Sequence, residues 1–429
     1  MADIRAFRGF RYDLGQVGAL SDVVCPPYDV IDSALQQRLY DASPYNAVRI
    51  ELAREQPGDS ETDNKYIRAA RILKEWTFHN VLKQDTARNL YVYEQEFTVE
   101  GQTYVRRGFL ARVRLEPFGT GRIFPHEQTM SGPKADRLKL YQATGFNISP
   151  VFGLYPDDAR EVAAKLEPLV RNAPPTVAKD HLGVINRFWV VSDPATITQV
   201  IGLMGPKPVF IADGHHRYET GLKYLEEQRA AGNVPDDEAP ANFCLMMLVG
   251  MSDPGLIILP THRLVSELPA LTTAQMKAMV KDHFDVVGEF DTAAACWDHV
   301  QLEDAQNVLG FGTVADGKWF AAKLRNPAVM ATLAPDQSAE WRELAVSILH
   351  KLVLEKLVGG TPTCTYVHTL NEVTEAVGAK RCQLACLVPP CEMTHVERIA
   401  GNREKMPPKS TYFYPKILTG LVLHSLKKE

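Results

Sequence analysis

The chain has 429 residues, 45% of them apolar and 23% charged, with a formal net charge of -5. Those proportions exclude a disordered or fibrous chain, and the length allows two or three domains. No basic block points to a nucleic-acid platform, no apolar run spans a bilayer, and the N-terminus lacks a signal-peptide core, so a cytoplasmic protein with no nucleic-acid or membrane partner is expected.

Residues 1–30 read as short strands and turns. Pro26 and Pro27 hold the backbone extended, which places Tyr28 and Asp29 on a rigid loop. That loop is either ligand-facing or a structural turn before a helix capped by Asp32. Residues 33–41 have helical spacing, whereas 46–52 alternate like a strand with Arg49 and Glu51 on one face. An amphipathic helix follows over 60–83. Residues 90–97 and 104–111 flank Glu100-Gly101-Gln102 as the two arms of a hairpin.

Residues 124–137 gather His126, Glu127, Thr129, Ser131, Lys134, Asp136 and Arg137 around Gly132-Pro133, with a helix expected to start afterwards through Leu138, Leu140 and Tyr141. Hydroxyls, a glycine and a lysine ahead of a helix suit phosphate binding, although the Walker A spacing is absent. The alternative is a polar surface loop with a helix cap. A turn and buried strand end at Tyr155. A helix over 157–171, a strand over 188–191 and a helix over 194–204 come next.

The sharpest junction follows. Val209, Phe210 and Ile211 read as a buried strand, and Tyr218, Leu222 and Leu225 as one face of a helix. Asp213-Gly214-His215-His216-Arg217 therefore sits at a strand-to-helix turn, where backbone N–H groups and the helix dipole favour an anion. Arg217 adds a planar fork suited to phosphate or carboxylate.

Residues 243–249 and 256–259 read as buried strands, the second ending in Pro260-Thr261-His262-Arg263. Arg217 and Arg263 would both then lie beyond strand ends, within reach of one anion. Residues 273–345 read as a module with little site chemistry, with helices over 273–282 and 291–301 and a hairpin around Ala315-Asp316-Gly317; a helix over 341–358 and a core strand over 381–388 follow. The seven cysteines are odd in number and scattered, against a disulfide framework. Cys382 and Cys386 read as core residues rather than as zinc ligands with Cys391 and His395. Residues 406–416, which include Lys409, are either another ligand-facing loop or an aromatic tail packed on the core.

The pattern predicts an α/β (α+β mixed) fold: a core over residues 1–265, an α+β insert over 266–345, and a C-terminal segment over 346–429 returning to the core. Its polar clusters supply cations, hydroxyls and acid–base groups, the inventory of phosphoryl transfer. Asp213 is a candidate general base or a Mg2+ holder acting through water. His215 and His216 are candidates to orient a substrate or relay protons. Phosphate contacts are assigned to Gly214, His216, Arg217, Ser131, Lys134, Arg137, Arg263 and Lys409, and substrate contacts to Tyr28, Asp29, His126, Thr261 and His262. A metal site on Asp213, His215 and His216 is the rival, but adjacent helical histidines point about 100° apart.

Residues 211–220 resemble the signature of domain-of-unknown-function family 1015. So do residues 26–31, His126-Glu127 with 131–137, 260–263 and 406–411. That family implies no established activity. More remotely, Asp213-Gly214-His215-His216-Arg217 is similar to the Asp-Gly-x-x-Arg loop of the ParB/sulfiredoxin-like superfamily, which includes nucleotide-binding ParB proteins, sulfiredoxin and free-serine kinases. That resemblance implies a ParB/sulfiredoxin-like core with a mixed sheet, residues 214–217 on nucleotide phosphates, and Asp213 assisting catalysis. It also implies a catalytic glutamate, for which Glu51 and Glu127 are candidates. The expected activity is a kinase-like phosphotransferase moving phosphate from ATP, ADP or pyrophosphate to a small hydroxylated metabolite such as free serine. Mg2+ and homo-oligomerisation are both compatible with it. A metal-dependent phosphatase or hydrolase, and a nucleotide-binding regulatory protein without turnover, are the alternatives.

Overall fold

The longest apolar alternations in the chain build a nine-stranded mixed sheet. Its central hairpin pairs Leu90–Val99 with Gln102–Arg114 in antiparallel register. The turn is made at Glu100 and Gly101, whose φ angles are 50° and 81°, as a two-residue turn between twisted strands requires. The computed structural model describes residues 2–127, 131–359 and 362–427, without the side chains of Ser131 and Pro133.

Two compact units divide the chain. The first runs to Pro125, resumes to Leu256 and takes the C-terminal stretch from Pro415; the second holds His126, Glu127 and Ile257–Tyr414. These boundaries differ from the three segments drawn from the sequence.

In the first unit, the sheet order is Ile123–Pro125, Val209–Asp213, Val151–Tyr155, Phe243–Gly250, Gln102–Arg114, Leu90–Val99, Ile185–Val191 and Thr176–Lys179, with Ile4–Arg5 added against Gln102–Arg114. Val151–Tyr155 runs parallel to Phe243–Gly250 and antiparallel to Val209–Asp213. One face of this sheet, carrying Val92, Phe109, Ala111, Ile211, Met246 and Leu248, packs against helices. Those helices are Glu161–Asn172 through Val162 and Leu166, Pro194–Met204 through Val200 and Met204, and His215–Ala230 through Tyr218 and Leu225. The expected mixed α/β class is what the structure shows.

The second unit holds a six-stranded antiparallel sheet in the order Phe284–Phe290, Lys318–Leu324, Val308–Thr313, Leu384–Leu387, His262–Ser266 and Thr363–Val367. Trp297 and Val300 of helix Ala293–Leu302 and Val373 of helix Leu370–Gly378 close its core. All seven cysteines are unbridged, and all but Cys364 are buried. Cys386 lies inside the strand Leu384–Leu387. Among the described residues, no helix is long and apolar enough to cross a membrane.

Several local expectations need correction. Residues 46–52 do not form a strand; Val48–Glu51 is a helical turn. The side chain of Asn46 accepts from Val48 N at 2.9 Å and starts that turn, the local competition with extended backbone that Asn favours. The helix expected after Arg137 already begins at Ser131 and runs to Thr144. His262 and Arg263 are not in a loop past a strand end, because they open the strand His262–Ser266. The strand before them, Ile257–Leu259, is only half-buried and pairs with Tyr412–Tyr414. The helix expected over 341–358 is broken into Ala339–Glu343, Ala345–Ile348 and a wide-wound segment, Leu349–Gly359.

Candidate functional site

The candidate site residues sort into the two units. Tyr28, Asp29, Glu51, Ser131, Lys134, Arg137 and the stretch Asp213 to Arg217 belong to the first. His126, Glu127, Thr261, His262, Arg263 and Lys409 belong to the second.

In the first unit the strand Val209–Asp213 passes straight into the 16-residue helix His215–Ala230 through Gly214, whose φ is 87°. An added Cβ there would lie 2.8–2.9 Å from the Arg217 guanidinium. Glycine is thus required twice, for its left-handed backbone and for the close approach of that side chain. Arg217 is 3% exposed and folds back under the turn. It donates to Asp213 Oδ2 at 2.6 Å and to the Pro150 carbonyl. Lys416 holds the other oxygen of the same carboxylate, with Nζ 2.5 Å from Oδ1. Asp213 is therefore clamped between two cations.

Around this pair the distant sequence clusters do meet. The Arg137 guanidinium stacks on the Tyr28 ring at 4.1 Å and donates to the Glu51 carbonyl at 2.8 Å. Arg137 also stands 3.5 Å from the Glu51 carboxylate and donates to Asp136. Glu51, 1% exposed, accepts from Ser149 Oγ at 2.9 Å. Burial opposes the charge of Arg217, but Asp213, Asp29, Tyr28 and Glu51 more than offset it and raise its pKa. Burial likewise opposes the charge of Arg137, and Glu51 and Asp136 outweigh it. Burial, with help from Asp29, keeps the Tyr28 phenol protonated. The neighbouring acids thus keep Arg217 and Arg137 charged in a dry setting, where each pairing is stronger than in water.

His215 is buried at 6% exposure, while His216 is half-buried and its carbonyl accepts from Thr220 Oγ1 at 2.7 Å. Lys134 pairs with Glu219 of the same helix at 2.8 Å. Thr129 and the Ser131 side chain, the hydroxyls expected to cradle phosphate, lie outside what the structure describes. Among the described residues, no three His, Cys, Asp or Glu side chains are grouped to hold a metal ion. Asp213, the centre of the rival metal site, has both oxygens committed to Arg217 and Lys416.

The second unit brings its own set together. Buried His126 meets Thr411 Oγ1 through Nε2 at 2.8 Å, and its carbonyl accepts from Met406 N at 2.7 Å. Glu127 accepts from Lys409 N at 2.6 Å, with Lys409 in the left-handed region at φ 57°. Arg263, 1% exposed, donates to the Lys409 carbonyl at 2.8 Å and to the Thr261 carbonyl. His262 is a core residue. Its Nδ1 accepts from Val388 N at 3.2 Å, its ring packs edge-on against Trp297, and burial pushes its pKa down to about 3. Thr261 Oγ1 reaches His368 Nδ1 at 3.4 Å.

Two cations of the first site were absent from the sequence-level assignment. Lys416 is one. The other is Arg106, fully buried, which donates to the Pro415 carbonyl at 2.5 Å and to Gln95. Burial pushes its pKa down to about 10, and Asp253 and Asp213 oppose that shift. A signal for Arg106 was present in the sequence. Adjacent Arg106 and Arg107 in one strand must point to opposite faces, so one of them turns inward.

A search of curated protein sequences finds no match. Among solved structures, the chain is similar to a free serine kinase in complex with AMP, at 11% identity over 68% of this chain and 83% of that one, with a TM-score of 0.34. It is also similar to SbnI with C-terminal truncation from Staphylococcus aureus, at 10% identity over 72% of this chain and 85% of that one, with a TM-score of 0.33. A third likeness is to a conserved hypothetical protein from Pyrococcus furiosus, at 11% identity over 69% and 89%, with a TM-score of 0.32. The sequence itself matches a family model across residues 4–347, and the chain belongs to that family, described as Protein of unknown function (DUF1015).

Proposed function

We propose that the first unit handles a phosphorylated ligand and that the protein is a kinase-like phosphotransferase, moving phosphate from ATP, ADP or pyrophosphate to a small hydroxylated metabolite such as free serine. One observation carries this reading: Asp213, held between Arg217 and Lys416, stands at the start of a 16-residue helix entered through Gly214. Gly214 has no side chain with which to cap the helix, so the positive end of the dipole and the first N–H groups are reinforced by neighbouring cations rather than offset by a capping hydroxyl. That combination favours phosphate oxygens. Support comes from this chemistry and from the Asp-Gly-x-x-Arg pattern of the turn, not from the distant structural likenesses.

Gly214, His216, Arg217 and Lys416 take the phosphate side of the site, and Tyr28, Asp29 and Arg137 its far wall. Mg2+ arriving with a nucleotide would be held by the phosphates and by water, as is common for this ion.

Titration calorimetry with ADP, ATP and pyrophosphate tests the reading, followed by phosphorus NMR of free serine incubated with each. Wild type is expected to bind at least one donor, and Lys416→Met to weaken it about tenfold or more, the worth of one charge-assisted contact. Binding that survives Lys416→Met unchanged would refute the site. Binding without transfer to any hydroxylated acceptor would leave a nucleotide-binding regulator and refute the enzyme.

A further inference from the structure

A cavity of about 250 Å³ lies in the first unit where the parallel strands Val151–Tyr155 and Phe243–Gly250 end; Tyr155 and Gly250 line it. The carboxyl ends of parallel strands are where α/β sheets commonly receive ligands. Its apolar wall is Val105, Ala163 and Leu166. Five charged residues also line it, and three of them are committed. Arg107 pairs with Glu94 and Glu167, Glu167 also pairs with Arg171, and Asp157 holds Lys207 at 3.3 Å.

The other two are Arg160 and Asp253. Among the described residues, Asp253 accepts from two backbone N–H groups, Gly255 at 2.9 Å and Arg107 at 3.4 Å. Arg106 and Arg160 both act on the charge of Asp253, and among the described residues neither forms an ion pair with it. Burial raises the pKa of Asp253 by more than its two backbone donors and these two cations lower it. Arg160 itself sits at φ 52°, in the left-handed region, immediately before helix Glu161–Asn172. A non-glycine residue held there costs on the order of 1 kcal/mol and is often retained for a purpose.

We propose that this cavity is a second small-molecule site and that it takes a zwitterion of the α-amino-acid type, its carboxylate on Arg160 and its ammonium on Asp253. A molecule carrying both charges bridges the two groups that the protein leaves unbridged, and its side chain meets the wall at Leu166. The opposed signs exclude a polyphosphate, which would gain Arg160 but meet Asp253 and Asp157. The inference is independent of the phosphotransfer reading, and its test uses no nucleotide.

Ligand-observed saturation-transfer NMR on the full chain, with glycine, L-alanine and L-serine as probes, reads binding directly. Free amino acids are expected to bind, whereas N-acetyl-L-alanine, without the cation, and L-alanine methyl ester, without the anion, are not. Arg160→Gln and Asp253→Asn should each weaken binding about tenfold or more, and Asp158→Asn, exposed and outside the cavity wall, should leave it unchanged. Because Arg160 is exposed, Arg160→Gln stays folded even if Asp253→Asn does not, and its melting temperature confirms that. The proposal is overturned if no free amino acid binds, if the blocked derivatives bind as well as their parent, or if Arg160→Gln leaves binding intact.

Discussion

Gly214→Ala is the substitution most sharply constrained by the turn. Alanine at φ 87° costs about 1–2 kcal/mol. Its Cβ would also lie 2.8 Å from Arg217 Nε. A long side chain normally yields to such a clash, but this one is buried and fixed at two points, to Asp213 Oδ2 at 2.6 Å and to the Pro150 carbonyl. Displacing it forfeits a charge-assisted hydrogen bond worth about 1.5–3 kcal/mol. The sum is about 2.5–5 kcal/mol, and at roughly 2–4 °C per kcal/mol the first unit should melt on the order of 10 °C lower by scanning calorimetry. Gly202→Ala is the control. Gly202 lies in helix Pro194–Met204 with nothing within 4 Å of an added Cβ, so it should be neutral or gain about 0.5–1 kcal/mol. Arg217→Met removes the obstacle, so in that background Gly214→Ala should cost only its backbone strain. A double-mutant coupling near zero would refute the claim that Gly214 makes room for the guanidinium.

His262, whose pKa falls to about 3 in the folded protein against an ordinary 6.5, stabilises the second unit fully above pH 6.5 and loses that contribution as pH falls toward 3. By pH 5 the loss is about 2 kcal/mol, and His262→Gln should flatten this pH dependence in urea melts. In the first unit, burial pushes the Asp136 carboxyl up, but Arg137, Tyr66 and Lys65 outweigh it and hold the pKa at about 2. Its stabilisation is present above pH 3.8 and lost as pH falls toward 2. Because the group is partly exposed, only about 1 kcal/mol is expected; Asp136→Asn should remove that acid step. Arg263→Met strips the Thr261 and Lys409 carbonyls of their donor and should cost about 2–4 kcal/mol, seen as a lower melting temperature of the second unit with the first unmoved.

What the sequence discloses is mostly local. The hairpin at Glu100-Gly101 and the turn at Gly214 were legible because periodicity changes on either side of a residue suited to positive φ. The meeting of Tyr28, Glu51, Arg137 and Arg217 was legible only as a list of polar clusters. No local pattern encodes that Arg137 stacks on Tyr28 or that Ser149 reaches Glu51. Residues 46–52 misled because an apolar alternation over so few positions fits a helical turn as well as a strand, and the deciding bond comes from the Asn46 side chain. His126 and Glu127 follow a strand of the first unit directly, yet they bond to Met406, Lys409 and Thr411 of the second. Such partners, far away in sequence, have no signature at either end.

The clamp on Asp213 bears on the order of events in the proposed phosphotransfer. A carboxylate accepting from both Arg217 and Lys416 is a poor base, since each cation stabilises the ionised form it would have to surrender. Arg217 is bolted to the backbone at Pro150 and cannot leave without unmaking the turn. In the proposed mechanism Lys416, a single ammonium on a four-carbon stem, is the partner that an incoming phosphate draws to itself. When it does, Oδ1 of Asp213 loses its cation and becomes available to an acceptor hydroxyl. On that proposal donor binding and activation of the base are one event, and an acceptor arriving first finds no base to use.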